Sequence, residues 1–175
     1  MIVADVAKAG LLLFVAAVVQ VSVLATVHVL GGTPDLVLLT LVSVAILRGA
    51  IFGAAGGFFA GLLVDTATLE TLGVTSLLLT VAGYWIGRYG ETSGRDRAHA
   101  PFVAVASVTA AYAAAALVLH FMLGAHPSAR VVLIDSLLPG VLFNALLTAP
   151  VYVLVRRLLR RAERTGRAQE VRLLG

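Results

Sequence analysis

The residues of this chain best suited to chemistry in apolar surroundings are Asp35, Asp65, Glu70, Asp135, His28, His120 and His126. Intramembrane proteolysis needs paired aspartates or a serine–histidine pair at membrane depth. Asp65 has no matching second aspartate, and Ser22, Ser43 and Ser76 stand in no nucleophile motif. His28, His120, His126, Asp65 and Asp135 would make a metal site only if the fold gathered them, because none are paired at i,i+4. A phosphate-binding loop is excluded, since the only lysine, Lys8, is followed by alanine. There are no cysteines, hence no disulfide and no thiolate metal ligand. No charge falls in the middle of an apolar stretch, which argues against a proton-driven carrier or an ion channel. The expectation is a protein that is not an enzyme and carries neither cofactor nor metal.

The elements that would position these residues are membrane helices. The chain has 175 residues, 60% hydrophobic and 13% charged, with a mean hydropathy of +1.01. A soluble domain is typically about 25% charged. The most telling stretch is RGAIFGAAGGFFAGLLVD from Arg48, in which Gly49, Gly53, Gly57 and Gly61 recur every four residues and Asp65 takes the next step. In a helix this spacing forms one stripe. In water each glycine would cost about 0.5–1 kcal/mol relative to alanine. In lipid, small residues let helix backbones approach closely, so the stripe reads as a packing surface. This helix 3 is expected at the centre of the bundle, ending at a carboxylate on the membrane edge.

Around it the chain divides readily. Ala9 to Leu30 is a run of 22 residues without a charge, long enough to span about 30 Å of hydrocarbon and longer than the apolar core of a signal peptide. It is read as an uncleaved first helix interrupted by Gln20 and His28. Gly31-Gly32-Thr33-Pro34-Asp35 is a turn and helix start, with Thr33 as N-cap and Pro34 at the first position. Helix 2 runs to about Leu47, at the lower limit for spanning. A re-entrant hairpin of helices 2 and 3 would bury Arg48 in hydrocarbon at about 2.5–3.5 kcal/mol, so two crossings are preferred. Helix 4, Leu72 to about Gly87, carries a second small-residue stripe, Ser76, Thr80, Gly83 and Gly87, that could meet the glycines of helix 3. Tyr84, Trp85 and Tyr89 resemble an aromatic belt. Helix 5 is Pro101 to Gly124 and helix 6 is Val131 to Val155, with Pro139 and Pro150 freeing the carbonyls of Asp135 and Leu146. Asn144, near the bilayer centre, should hydrogen-bond another helix, either as packing glue or as part of a groove shaped by the two prolines.

Charge sets the orientation. With both termini cytoplasmic, six crossings place Lys8, Arg48, Arg88, Arg95, Arg97 and the seven tail arginines inside, twelve of thirteen basic residues, leaving Arg130 outside. Asp35, Asp65, Glu70 and Asp135 then lie outside. The net charge of +4 therefore points to anionic lipid at the arginine-rich tail and not to nucleic acid. The organisation expected is an all-α integral membrane protein, with residues 1–160 as one six-helix domain and 161–175 as a basic cytoplasmic tail.

Together, Pro34-Asp35, the block GAAGGFFAGLLVD from Gly53 to Asp65, Leu72-Gly73-Val74, and NALLTAPVYVLVRRLLRR from Asn144 resemble the MreD family of bacterial rod shape-determining proteins. The loop after Asp65 departs from the family in lacking Ser-Gly. The resemblance implies a non-enzymatic scaffold of the cell-elongation machinery that binds the single-pass protein MreC. Indirect partners would be MreB, RodA and a class B penicillin-binding protein, with homo-oligomer formation left open. The family is similar in fold to the substrate-binding S components of energy-coupling factor vitamin and metal transporters, which supplies the alternative function. S components typically carry Ala-x-x-x-Ala on helix 1. Here Ala7, Ala9, Ala16, Ala17 and Ala25 lack an alanine four residues on, and no histidine stands near Met1, so the scaffold is favoured.

Overall fold

The computed structural model describes residues 2–23, 34–69, 72–92, 100–122 and 138–173. Six helices follow one another: α1 Ile2–Ser22, α2 Leu36–Arg48, α3 Ala50–Thr68, α4 Val74–Thr92, α5 Ala100–Met122 and α6 Leu138–Leu173. By length and composition, Ala50–Thr68 and Gly140–Leu159 are apolar enough to cross a membrane.

The central helix is α2, not α3. It packs against all five others, and the ten consecutive residues Val37 to Ile46 are buried. A helix that is apolar on every side belongs in a core. With 13 residues it is about 20 Å long, too short to cross the hydrocarbon by itself. Enclosure by the other helices removes that requirement, provided that protein groups satisfy the backbone at its ends. The glycine helix α3 is peripheral by comparison. Ile51, Phe58, Phe59, Leu62 and Leu63 are exposed on its outer side.

Several boundaries move from their expected places. The first helix begins seven residues earlier, at Ile2, because Asp5 and Lys8 fit its first turns without interrupting it. The N-cap of α2 is Asp35, whose carboxylate accepts from Leu38 N, while Thr33 lies outside the described residues. α4 continues five residues beyond Gly87 to Thr92, since nothing in Arg88-Tyr89-Gly90-Glu91 breaks a helix that packs on one side. α6 runs in one piece from Leu138 to Leu173 with Pro150 inside it. Pro139 therefore stands in the first described turn of α6, where its missing N–H breaks no helical bond within that helix. Asp135, whose carbonyl Pro139 was expected to free, lies outside the described residues.

Gly49 has left the stripe. It is the joint between α2 and α3, with φ of +99°, a conformation that glycine adopts without penalty. Its N–H donates to Ala45 O at 2.8 Å and its carbonyl accepts from Gly53 N at 3.0 Å, so one residue closes one helix and opens the next.

Candidate functional site

The described carboxylates and amides that bond across helices do so at helix ends. α3 and α4 form the most extensive helix pair of the bundle, and they run antiparallel with glycine backbones in contact. A Cβ added at Gly57 would lie 2.5 Å from the Leu79 carbonyl carbon and 2.9 Å from Thr80 N. One at Gly53 would lie 2.7 Å from the Gly83 carbonyl carbon, and one at Gly61 2.6 Å from Ser76 N. From the other side, a Cβ added at Gly87 would meet the backbone of Ala50, and one at Gly90 would lie 2.9 Å from Ile46 O of α2. Backbone atoms cannot swing away as side-chain ends do, so no Cβ fits here.

Two carboxylates lock the ends of this pair reciprocally. Asp65, near the end of α3, is 1% exposed and therefore enclosed by the protein, with α3 continuing to Thr68. It accepts from Gly73 N at 2.8 Å and from Thr75 N and Ser76 N at 3.3 Å. These are donors that the first turn of α4 would otherwise leave unmade, and the positive end of that helix favours the charge. At the opposite end Glu91 of α4 accepts from Ala50 N, the first residue of α3, at 2.9 Å. Glu91 also pairs with Arg88 at 3.4 Å.

The second gathering serves the start of the short central helix. Leu36 N donates to Gln20 Oε1 at 2.8 Å, and Asp35 N donates to Asn144 Oδ1 at 2.9 Å. Gln20 Nε2 donates to Pro34 O at 3.1 Å, and Asn144 Nδ2 to Thr109 Oγ1 at 3.4 Å. Four helices thus meet at Pro34-Asp35-Leu36: α1 through Gln20, α2 itself, α5 through Thr109 and α6 through Asn144. Thr148 Oγ1 in turn donates to Asn144 O at 2.6 Å. Asn144 joins helices as its type predicts, but it does so beside the N-terminus of α2 and within two turns of the described start of α6. Beside this knot lies a cavity of about 360 Å³ lined from all six helices, including Gln20, Asp35, Thr68, Thr75, Thr109 and Asn144.

Of the residues singled out in the sequence, the fold brings Pro34, Asp35 and Asn144 together, and it sets Gly53, Gly57, Gly61 and Asp65 along one interface. Gly49 belongs to the joint, and Pro150 lies on an exposed part of α6 away from both groups. Three contributors carried no clear signal. Gln20 read as a mere polar interruption, Glu91 lay in an apparent loop, and Thr109 sat in an alanine-rich run. The spacing of Glu91 and Gly49 from the glycine pairs was the one available clue. Among the described residues no three His, Asp or Glu side chains converge as metal ligands. His28, His126 and Asp135 lie outside the described residues.

Every carboxylate and amide described above holds a helix end, so the constellation is architectural, leaving the apolar outer faces to meet other molecules. Two apolar openings lie on the outer faces: a groove of about 610 Å³ between α4 and α5, with Leu77, Val81, Trp85 and Val103 among its walls, and one of about 340 Å³ between α1 and α3. No curated protein and no solved structure matches the chain. The family described as rod shape-determining protein MreD matches residues 7–162, a span that contains the glycine interface, both carboxylate caps and the Gln20–Asp35–Asn144 knot. The chain belongs to the rod shape-determining protein MreD family.

Proposed function

We propose that this protein is a non-enzymatic membrane scaffold of the cell-elongation machinery, binding MreC and so supporting lateral peptidoglycan synthesis with MreB, RodA and a class B penicillin-binding protein. The observation that carries the reading is the family match over residues 7–162. The site geometry supports it, because the polar groups serve helix ends and the exposed surface is apolar. MreC then meets an outer face, not the glycines, which already face α4. Depletion of the protein from its host should turn rods into spheres, and re-expression should restore them. Cells that keep their width and length on depletion would refute the reading.

The orientation proposed has six crossings in the cytoplasmic membrane with both termini inside. It places Leu69, 92% exposed, outside and Thr92 inside. The natural chain has no cysteine, so single substitutions report without background. Leu69→Cys should react with an impermeant maleimide on intact cells, and Thr92→Cys only after permeabilisation. Labelling of both from one side contradicts this topology.

The transporter-like alternative has one observation in its favour, the 360 Å³ cavity at the Asp35–Asn144 knot. Its two amides are engaged with the backbone at Pro34, Asp35 and Leu36 and are not left for a ligand. Water-soluble vitamins should therefore leave the melting temperature of the purified protein unchanged. A ligand present at about 1,000 times its Kd would add about 4 kcal/mol, a shift that could not be missed. Such a shift with any vitamin would favour the transporter function.

A further inference from the structure

Beside the start of the central helix, the fold leaves hydrogen-bonding capacity unused. Asp35 Oδ1 accepts from Leu38 N at 2.9 Å, while Asp35 Oδ2 accepts no hydrogen bond. Thr75 is 6% exposed. Its N–H donates to Asp65 Oδ1, and its hydroxyl has no partner. Thr109 Oγ1 accepts from Asn144 Nδ2 at 3.4 Å and leaves its own O–H undonated. These oxygens are not sealed inside protein. Among the described residues, the one closed-off side-chain nitrogen or oxygen without a partner is Nε of Arg156, far along α6. Asp35 Oδ2 and Thr75 Oγ1 therefore reach open space. The space they share is the 360 Å³ cavity, which Asp35, Thr75 and Thr109 all line.

This cavity sets a carboxylate oxygen beside two hydroxyl donors, and no Lys, Arg or His among the described residues lines it. Arg48 and Arg88 stand toward the far ends of α2 and α4. An enclosed charge is ordinarily paired, and the positive end of α2 offsets only about half a unit of it. The carboxylate thus suits a cation from outside the chain. Size narrows the class, because the volume is many times the roughly 30 Å³ share of one water. It falls in the range of about 300–1,000 Å³ typical of small-molecule sites. Among the described residues no three His, Asp or Glu converge, so an organic cation suits the cavity better than a bare metal ion. Val37, Val64 and Leu79 complete the wall and match a short carbon chain. We infer that the cavity binds a small organic amine. Its ammonium group donates to Asp35 Oδ2, and an oxygen of the same molecule accepts from the Thr75 or Thr109 hydroxyl. Gln20 and Asn144 stay bonded to the backbone, so the amine does not compete with the fold. The inference goes beyond the scaffold reading and does not depend on it.

The test uses the full chain in an uncharged detergent and reads its melting temperature, with aminobutanol as the probe. Aminobutanol should raise it saturably, whereas butanediol, its uncharged match, and sodium chloride at equal ionic strength should not. Asp35→Asn keeps an N-cap acceptor for Leu38 N and should lose more than half of the rise. Thr75→Val keeps the side-chain shape without the hydroxyl and should raise the half-saturating concentration about 2- to 10-fold. Thr66→Ala, whose hydroxyl bonds within α3 and is no part of the cavity wall, should respond as wild type. No rise with aminobutanol overturns the inference, as does an equal rise with butanediol or salt. An equal rise in wild type and Asp35→Asn overturns the site. If Asp35→Asn fails to fold, Thr75→Val decides: a higher half-saturating concentration supports the site and an unchanged one refutes it. MreC recovery is a separate readout, so failure of the amine site and failure of the scaffold reading are distinguishable.

Discussion

Gly57→Leu should lower the stability of the isolated protein by about 3 kcal/mol or more, at the upper end of overpacking penalties. The new Cβ would meet the Leu79 carbonyl carbon at 2.5 Å and Thr80 N at 2.9 Å. Relief requires α3 and α4 to separate, which would also disturb the Gly53–Gly83 and Gly61–Ser76 contacts along the same stripe. Alanine at Gly57 already adds the offending atom and should cost a large part of the same amount. Gly10→Ala is the internal control, because nothing lies within 4 Å of the added atom. It should be neutral or stabilise by up to about 1 kcal/mol through helix propensity. Thermal unfolding of the three variants in one detergent checks the order. A Gly57→Leu protein as stable as wild type that no longer binds MreC would turn the stripe into the partner site.

Asp65→Ala is the second large effect, at about 3 kcal/mol. Three N–H groups at the start of α4 lose their acceptor, and Thr75 and Ser76 are buried. The short bond from Gly73 N contributes most, as an interaction with a charged acceptor worth about 1.5–3 kcal/mol. Asp65→Asn retains a carbonyl oxygen and should lose less than half as much. Thr66→Ala removes only an exposed hydroxyl bonded within its own helix and should change little. Chemical denaturation of the purified variants separates these cases. Asp65→Ala with wild-type stability and weakened partner binding would make the carboxylate a contact residue and not a cap.

The all-helical architecture and the α3–α4 pairing are legible in the residues because glycine at every fourth position has few other uses in an apolar helix. Ser76, Gly83 and Gly87 carry the complementary spacing. The centre of the bundle is not legible. Leu36 to Leu47 is apolar on every side, and such a run reads the same whether lipid or protein surrounds it. Only the tertiary fold distinguishes the two, and it makes α2 the core and α3 its flank. The enclosure of Asp65 by protein is hidden for a related reason. A carboxylate at the end of an apolar run normally marks the water boundary, but α4 begins close enough to offer it three donors. Gln20 and Asn144 each announce a hydrogen bond without naming its partner, since their partners are backbone groups 16 and 109 residues away. Glu91 was obscured by the helix boundary, because its role exists only once α4 is extended to Thr92.

As a membrane partner of MreC, this protein would offer an outer face, its glycine face being occupied by its own α4. The most direct measurement is co-purification of the tagged protein with MreC from the same organism in mild detergent, followed by size exclusion. MreC should stay with the folded protein as one complex through both steps. Recovery of the protein folded and monodisperse, with MreC present in the membranes but absent from the peak, would contradict it.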